Sequence, residues 1–408
     1  MHNQDIIPHL FRTEFRKIVA VLCKAFGIEN VNMAEDIASE TFLSALETWP
    51  YKGIPENPQA WLYTVAKNKA KNLLARNSLF ADKIQHGVKI SVPENDEIEI
   101  DLSPQNITDS QLQMLFAVCH PLLSTEAQIA LALRILCGFG IDEIANAFLS
   151  NKETINKRLF RAKEKLRTAN IKLEFPPESE VSQRLQPVLT TLYLLFNEGY
   201  YSESKDTILR NDMCLEAMRL TRMLIDNKQT SIPQVNALLA LMCFHSSRFK
   251  ARKGANGEII LYQDQDETLW NTELIANGIF YLNRASVGNT ISRYHLEAGI
   301  AYWHTMKEDT EEKWENILQL FNQLLMISYS PVAALNRTYA LAKVRGNEIA
   351  IIEAEKLNLT NNRFYFTLLG ELYTPIDKNK AKQNLLRALA ICTTQPDRQT
   401  IQQKIDKL

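Results

Sequence analysis

The stretch Ile141-Asp142-Glu143-Ile144-Ala145-Asn146-Ala147-Phe148, followed by Ser150-Asn151-Lys152-Glu153 and a basic run to Arg167, decides how the chain is read. The first piece is a short amphipathic helix entered from Gly138-Phe139-Gly140. Ser150-x-x-Glu153 has the form of a capping box and predicts the start of a second helix. Along that helix Ile155, Leu159, Ala162 and Leu166 recur at three- and four-residue steps and predict one buried stripe. The remaining faces carry Lys152, Asn156, Lys157, Arg158, Phe160, Arg161, Lys163, Lys165 and Arg167. A short helix, a tight turn and a second helix with a basic outer face match a helix-turn-helix, whose second helix reads base edges in the major groove. An ordinary helical hairpin with a solvated basic face shows the same pattern, so the rest of the chain has to decide.

Outward from there, helical periodicity dominates and no alternating run is long enough for a substantial sheet, which predicts an all-α fold. A first helical block runs from about Asp5 to Asn77. Next comes a polar, acidic segment, roughly Lys89 to Asn106, with the run Glu94-Asn95-Asp96-Glu97-Ile98-Glu99-Ile100-Asp101, which reads as a linker. A second block spans about Thr108 to Ile171, and Phe175-Pro176-Pro177 closes it. From Glu178 to Leu408 the pattern is again helical, in segments of helix-pair length but without a clear fixed repeat. A chain of 408 residues suggests two or three domains.

The composition, 46% hydrophobic and 23% charged, is that of a globular protein. No stretch approaches the roughly 20 apolar residues a membrane span needs. The N-terminus Met1-His2-Asn3-Gln4-Asp5 lacks the layout of a signal peptide, so a cytoplasmic location with no membrane partner is expected. The net charge of -1 hides two basic stretches, Trp61 to Arg76 and Lys152 to Arg167. Local charge is what bears on nucleic-acid binding. The six cysteines are scattered with no C-x-x-C pair, which fits reduced thiols. Cys119-His120 lacks the further ligand pair of a metal site, so no metal or cofactor is expected.

In the first block Asn32-Met33-Ala34-Glu35 is a possible capping box for a helix reaching Trp49. Asp36, Glu40 and Glu47 share its surface, while Ile37, Phe42, Ala45, Leu46 and Trp49 supply apolar faces. After a turn-rich loop, Pro50 to Pro58, a helix from Ala60 to Arg76 carries Lys67, Lys69 and Lys71 with no acid among them. Its basic charge suits a phosphate backbone, and aromatic side chains can stack on unpaired bases. Trp61 alone reads as a buried residue.

Ala34-Glu35-Asp36-Ile37, Glu40-Thr41-Phe42, Trp49-Pro50, Asn57-Pro58-Gln59-Ala60-Trp61-Leu62 and Val65-Ala66-Lys67-Asn68-Lys69-Ala70 together resemble the second region of bacterial RNA polymerase sigma factors. Glu143-Ile144-Ala145 with Thr154 to Lys163 resembles their fourth region, in the expected order. His120-Pro121-Leu122-Leu123-Ser124, Phe196-Asn197-Glu198-Gly199-Tyr200, Gln263-Asp264-Gln265-Asp266-Glu267-Thr268-Leu269-Trp270 and Ser330 to Arg337 resemble the extracytoplasmic-function subgroup with a tetratricopeptide-like C-terminal extension. Glu267 stands where that subgroup has arginine, so any role of that arginine does not carry over.

The resemblance implies four segments: 1–78 as sigma region 2, 79–107 as acidic linker, 108–175 as sigma region 4 and 176–408 as helical extension. It implies that Asp36, Glu40 and Phe42 dock on the clamp of core RNA polymerase. Lys52 to Asn57 would face the downstream promoter element. Trp61, Lys67, Asn68, Lys69 and Lys71 would hold opened promoter DNA. Asn156, Lys157, Phe160 and Arg161 would contact the upstream element, with Lys152 and Arg158 on phosphates. The linker would thread the polymerase channels, or serve as a solvated spacer. The extension would regulate the sigma module and offer a surface for a protein or peptide. Asn197 to Tyr200 and Gln263 to Asp266 are candidate contacts, or capping and packing devices.

An enzyme is not expected. His245-Ser246-Ser247 has no nucleophile elbow around it, and Lys253-Gly254-Ala255-Asn256-Gly257 lacks phosphate-loop spacing. The alternative is a ligand-responsive helix-turn-helix regulator that acts without polymerase docking. Such a protein has no need of the block from Asp36 to Arg76.

Overall fold

A computed structural model describes residues 6–83, 100–148, 150–201, 207–252, 260, 262–392 and 395–408. Among these residues every long regular element is an α-helix and there is no strand, as the periodicity predicts. Residues 94–99 of the acidic run and the stretch 253–257 lie outside the described residues. The contacts divide the chain into two units, Met1–Thr230 and Ser231–Leu408.

The first unit begins with α1 (Ile6–Phe26), α2 (Val31–Lys52) and α3 (Pro58–Lys83). Their core is built from i, i+4 apolar positions: Phe15, Ile18, Val19 and Leu22 on α1, Phe42, Ala45 and Trp49 on α2, and Leu62, Ala66 and Ala70 on α3. The expected capping box at Asn32 is not formed. α2 starts two residues earlier, with Asn30 at its N-cap, and Glu35 is turned away to bind cations from elsewhere. Gly53, at φ 83, ends α2 in a conformation other residues reach only with strain.

α4 (Pro104–Val118) and α5 (Thr125–Leu131) follow, and α5 runs directly into a π-helical turn, Ala132–Leu136. Next are α6 (Ile141–Ala147) and α7 (Lys152–Thr168). The stripe Ile155, Leu159, Ala162 and Leu166 is buried as expected. The cap differs from expectation: Asn151 is the N-cap, its Oδ1 accepting from the Thr154 N–H at 2.8 Å, so the Ser150 box does not form. Asn151 holds an extended backbone, from which its short side chain reaches that N–H.

α8 (Glu178–Tyr201) and α9 (Thr207–Asp226) complete this unit. Thr191 donates to Gln128 Oε1 (3.0 Å), Arg184 to the Phe116 carbonyl (3.2 Å) and Arg219 to the Leu136 carbonyl (3.2 Å). The compact units and the sequence segments are therefore not the same division, because the first helix pair after Pro177 packs on the helices before it.

The second unit holds α10 (Pro233–Ser246), α11 (Thr272–Ala285), α12 (Arg293–Trp303), α13 (Glu311–Ile327), α14 (Pro331–Arg345), α15 (Asn347–Leu357), α16 (Arg363–Tyr373), α17 (Lys378–Ala390) and α18 (Gln395–Asp406). Each packs against its successor in sequence, the pattern of a helical array. Polar caps start many of them: Asn271, Thr310, Ser330, Asn362 and Asp377 each accept a hydrogen bond from the first turn of the following helix.

Candidate nucleic-acid interface

Two helices carry the residues singled out for DNA, and one carries those for polymerase. On α3, Leu62, Ala66 and Ala70 face the core, which leaves Asn68 and Lys71 exposed. Lys67 and Lys69 are half-buried at the flanks. Lys69 pairs with Glu40 of α2 at 3.3 Å, so a residue expected on DNA and one expected on polymerase hold each other here. The positive charges of Lys67 and Lys24 bear on Asp101. Hydrogen bonds from the Ser103 backbone and hydroxyl are the larger reason its carboxyl lies below the usual range. Trp61 is half-buried and meets Trp49 edge-on, with ring centroids 5.4 Å apart, so it braces α3 against α2.

α3 is fixed to α1 by a network the sequence did not announce. Glu14 is buried and its carboxylate accepts from Lys17 (2.8 Å), Gln59 (2.9 Å) and Tyr63 (2.5 Å). Burial raises its pKa, and the donors together with the Lys17 charge outweigh that, so the carboxyl lies below its ordinary value. The same pairing pushes the Tyr63 hydroxyl upward, after burial as the first cause. Glu14 and Tyr63 are 49 residues apart, which is why no local motif revealed them.

On α2, Asp36 and Glu40 are exposed, as expected for docking residues. Phe42 is not available at the surface. It is buried against Phe11 (5.1 Å) and Phe15 (6.5 Å), so its part is to hold α2 on α1. Leu46, expected on an apolar face, is instead 53% exposed, as is Leu43. Both border a groove of about 1160 Å³ that Ile7, Phe11, Pro50 and Ile54 also line. Two leucines three residues apart beside a row of carboxylates were the signal for it.

On α7, Asn156, Lys157, Phe160 and Arg161 are all exposed, Phe160 by 65%. Lys152 is exposed and pairs with Asp142 at 2.6 Å across the turn from α6. Arg158 lies over the Phe148 ring, 5.4 Å from its centroid, and so ties α7 to α6 while keeping an edge open. The candidates divide by direction: Asn156 and Phe160 line a cavity shared with Glu29, Asn32 and Glu35 of the first helices. Lys157 and Arg161 are not among its lining residues.

The other motifs have local structural partners. The His120 Nδ1 accepts from the Leu122 N–H at 3.2 Å. Asp266 accepts from the Thr268 N–H (2.9 Å) and hydroxyl (2.7 Å), capping a short turn. Gln265 is buried, and its carbonyl accepts from Lys307 at 2.5 Å. Tyr200 stacks on Phe196 at 5.8 Å, and burial raises the neighbouring Glu198 carboxyl above its ordinary value. Among the described residues no helix is long and apolar enough to cross a membrane.

Residues 10–79, covering most of α1 through α3, match the model of sigma-70 region 2. Residues 184–286, spanning most of α8 through α11, match a family of unknown function, DUF6596. The chain is 32% identical over 384 residues to the uncharacterized protein R00370 of Rhizobium meliloti (strain 1021), a match that covers 93% of this chain and 90% of that protein. No solved structure matches it. The chain belongs to the family of the Rhizobium meliloti protein, and its first three helices carry a sigma-70 region 2, which supports a sigma-factor-like role in transcription initiation with core RNA polymerase and promoter DNA.

Proposed function

We propose that the chain is a sigma factor of the extracytoplasmic-function type, whose region 2 docks on core polymerase and whose α6–α7 pair is a region 4 helix-turn-helix. The observation that carries this reading is α7: downstream of a sigma-70 region 2, it exposes Asn156, Lys157, Phe160 and Arg161 together. Such a helix can lay polar and cationic groups along a major groove about 12 Å wide, while Lys152 holds phosphates. On α2, Asp36 and Glu40 with the exposed Leu43 and Leu46 supply a mixed acidic and apolar docking face. Asn68 and Lys71 of α3 face opened promoter DNA, with Lys67 at the flank and Lys69 joining once Glu40 turns to polymerase.

The helical remainder regulates this module, and its successive helix pairs suit a tetratricopeptide-like array that takes a protein or peptide. Its first pair, α8 and α9, is bonded to α4, α5 and the π-helical turn, so those two helices act as part of the sigma module's frame.

Purified protein mixed with core polymerase should form a holoenzyme and start transcription at specific promoters. Failure to bind core, together with tight duplex binding by the protein alone, would replace this reading with that of a polymerase-independent regulator. Arg161→Ala should lower promoter-specific output by about 1–3 kcal/mol, roughly 5- to 150-fold, and relax selectivity at one base position. A truncation meant to test the extension should end after Thr230, because one ending at Phe175 bares the buried faces of α4 and α5.

A further inference from the structure

We propose that a charge clasp centred on Glu35 holds α7 closed against α2 in the free protein and withholds it from duplex DNA. This rests on the reading of α7 as the DNA-reading helix. Glu35 is only 8% exposed, and cations from two other elements converge on its carboxylate. Arg134 of the π-helical turn lies 2.9 Å from Oε1, and Lys163 of α7 lies 3.0 Å from Oε2. Lys163 also donates to Asn32 Oδ1 at 2.8 Å. One of the basic residues of α7 is thus already occupied by an intramolecular carboxylate.

The space beside the clasp is about 260 Å³ and is lined by Asn156 and Phe160 on the α7 side. That space is far smaller than a DNA duplex requires. Half of the residues lining this cavity are charged. A permanent internal interface is close-packed and apolar, whereas this one is hollow and ionic, which suits a contact made to be released. A second fastening runs through α9. Glu216 binds Arg16 of α1, and Arg219 of the same helix donates to the Leu136 carbonyl of the π-helical turn (3.2 Å). The first helix pair of the extension therefore grips both halves of the closed arrangement and can bias its opening.

The test uses the full-length chain with spin labels at Glu47→Cys and Lys165→Cys, since all six native cysteines are buried. The parent should give one narrow distance between α2 and α7. Glu35→Lys should lengthen and broaden it. The same substitution should tighten binding to a labelled mixed-sequence duplex at least about tenfold, beyond the added charge alone. Glu178→Lys, with the same charge change on α8, sets that baseline. Lys163→Met, judged on distance only, guards against a Glu35 variant that fails to fold, and circular dichroism checks every variant. An unchanged distance in both clasp variants overturns the proposal. So does an opened distance with duplex affinity no greater than that of Glu178→Lys. Failure of the parent to bind core polymerase would sink the sigma reading instead, and would leave the distance result standing or falling by itself.

Discussion

At the scale of single residues, the second unit depends on a lysine where a lysine is expensive to bury. Lys313 is 1% exposed. Its ammonium donates to the Met306 carbonyl (2.5 Å), Tyr262 Oη (2.9 Å) and the Glu308 carbonyl (3.3 Å), which uses its three protons. The Tyr262 and Trp314 rings lie 5.0 and 5.6 Å from it, adding cation–π attraction. Burial is the first reason its pKa lies below the ordinary lysine value. Lys313→Met fills the same volume but leaves the Glu308 carbonyl and the Tyr262 oxygen without their donor, while the Met306 carbonyl keeps the Tyr262 hydroxyl at 2.8 Å. It should cost about 2–4 kcal/mol of stability, read as a lower denaturation midpoint with an unchanged slope. An effect below about 1 kcal/mol would mean that water replaces the ammonium.

At the scale of elements, close helix approach in the second unit relies on missing side chains. A Cβ on Gly370 of α16 would stand 2.6 Å from Leu385 Cγ, 2.8 Å from its Cδ2 and 3.3 Å from the Ala381 carbonyl of α17. Leu385 is buried and belongs to the cluster that joins α14 through α18, so it has little room to move. Alanine is the better helix former by about 1 kcal/mol, yet the overpacking costs about 1–3 kcal/mol. Gly370→Ala should therefore lower the thermal midpoint despite its higher helix propensity. A raised midpoint would show that α16 and α17 can slide apart without loss.

At the scale of the whole molecule, acid should weaken the chain through its buried imidazoles. Burial, aided by the charges of Arg248 and Lys313, lowers the His304 pKa to about 3, and its Nδ1 has no hydrogen-bond partner among the described residues. His245 is lowered well below its ordinary value for the same first reason. Between pH 6.5 and 3 the unfolded chain binds a proton that folded His304 refuses. The stabilisation is thus complete above pH 6.5 and is lost as pH falls, by at most about 1.4 kcal/mol per pH unit for one group. Denaturant titrations at pH 7 and pH 5 should show the second unit weaker at pH 5. His304→Phe, which keeps a ring between Tyr262 and Trp314, should flatten that dependence. A pH profile the same as the parent's would remove His304 from the account.

The sequence by itself determined the all-α class, the sigma-70 region 2, the order of the helical blocks and the buried stripe of α7. These follow from spacing along one helix, and a period of 3.6 residues places neighbours on a face wherever the helix later packs. It did not determine which of the exposed-looking side chains stay at the surface. Phe42 went inward because Phe11 and Phe15 of α1 were waiting for it, and Leu46 stayed out because nothing covered it. Nor did it determine the partners of Glu14, Glu35 and Lys313, whose hydrogen bonds and ion pairs span up to 128 residues. Their choice depends on which helix faces which, and only tertiary packing decides that. Glu35 makes the distinction plain: local pattern assigned it to a cap, and the fold gave it Arg134 and Lys163 instead.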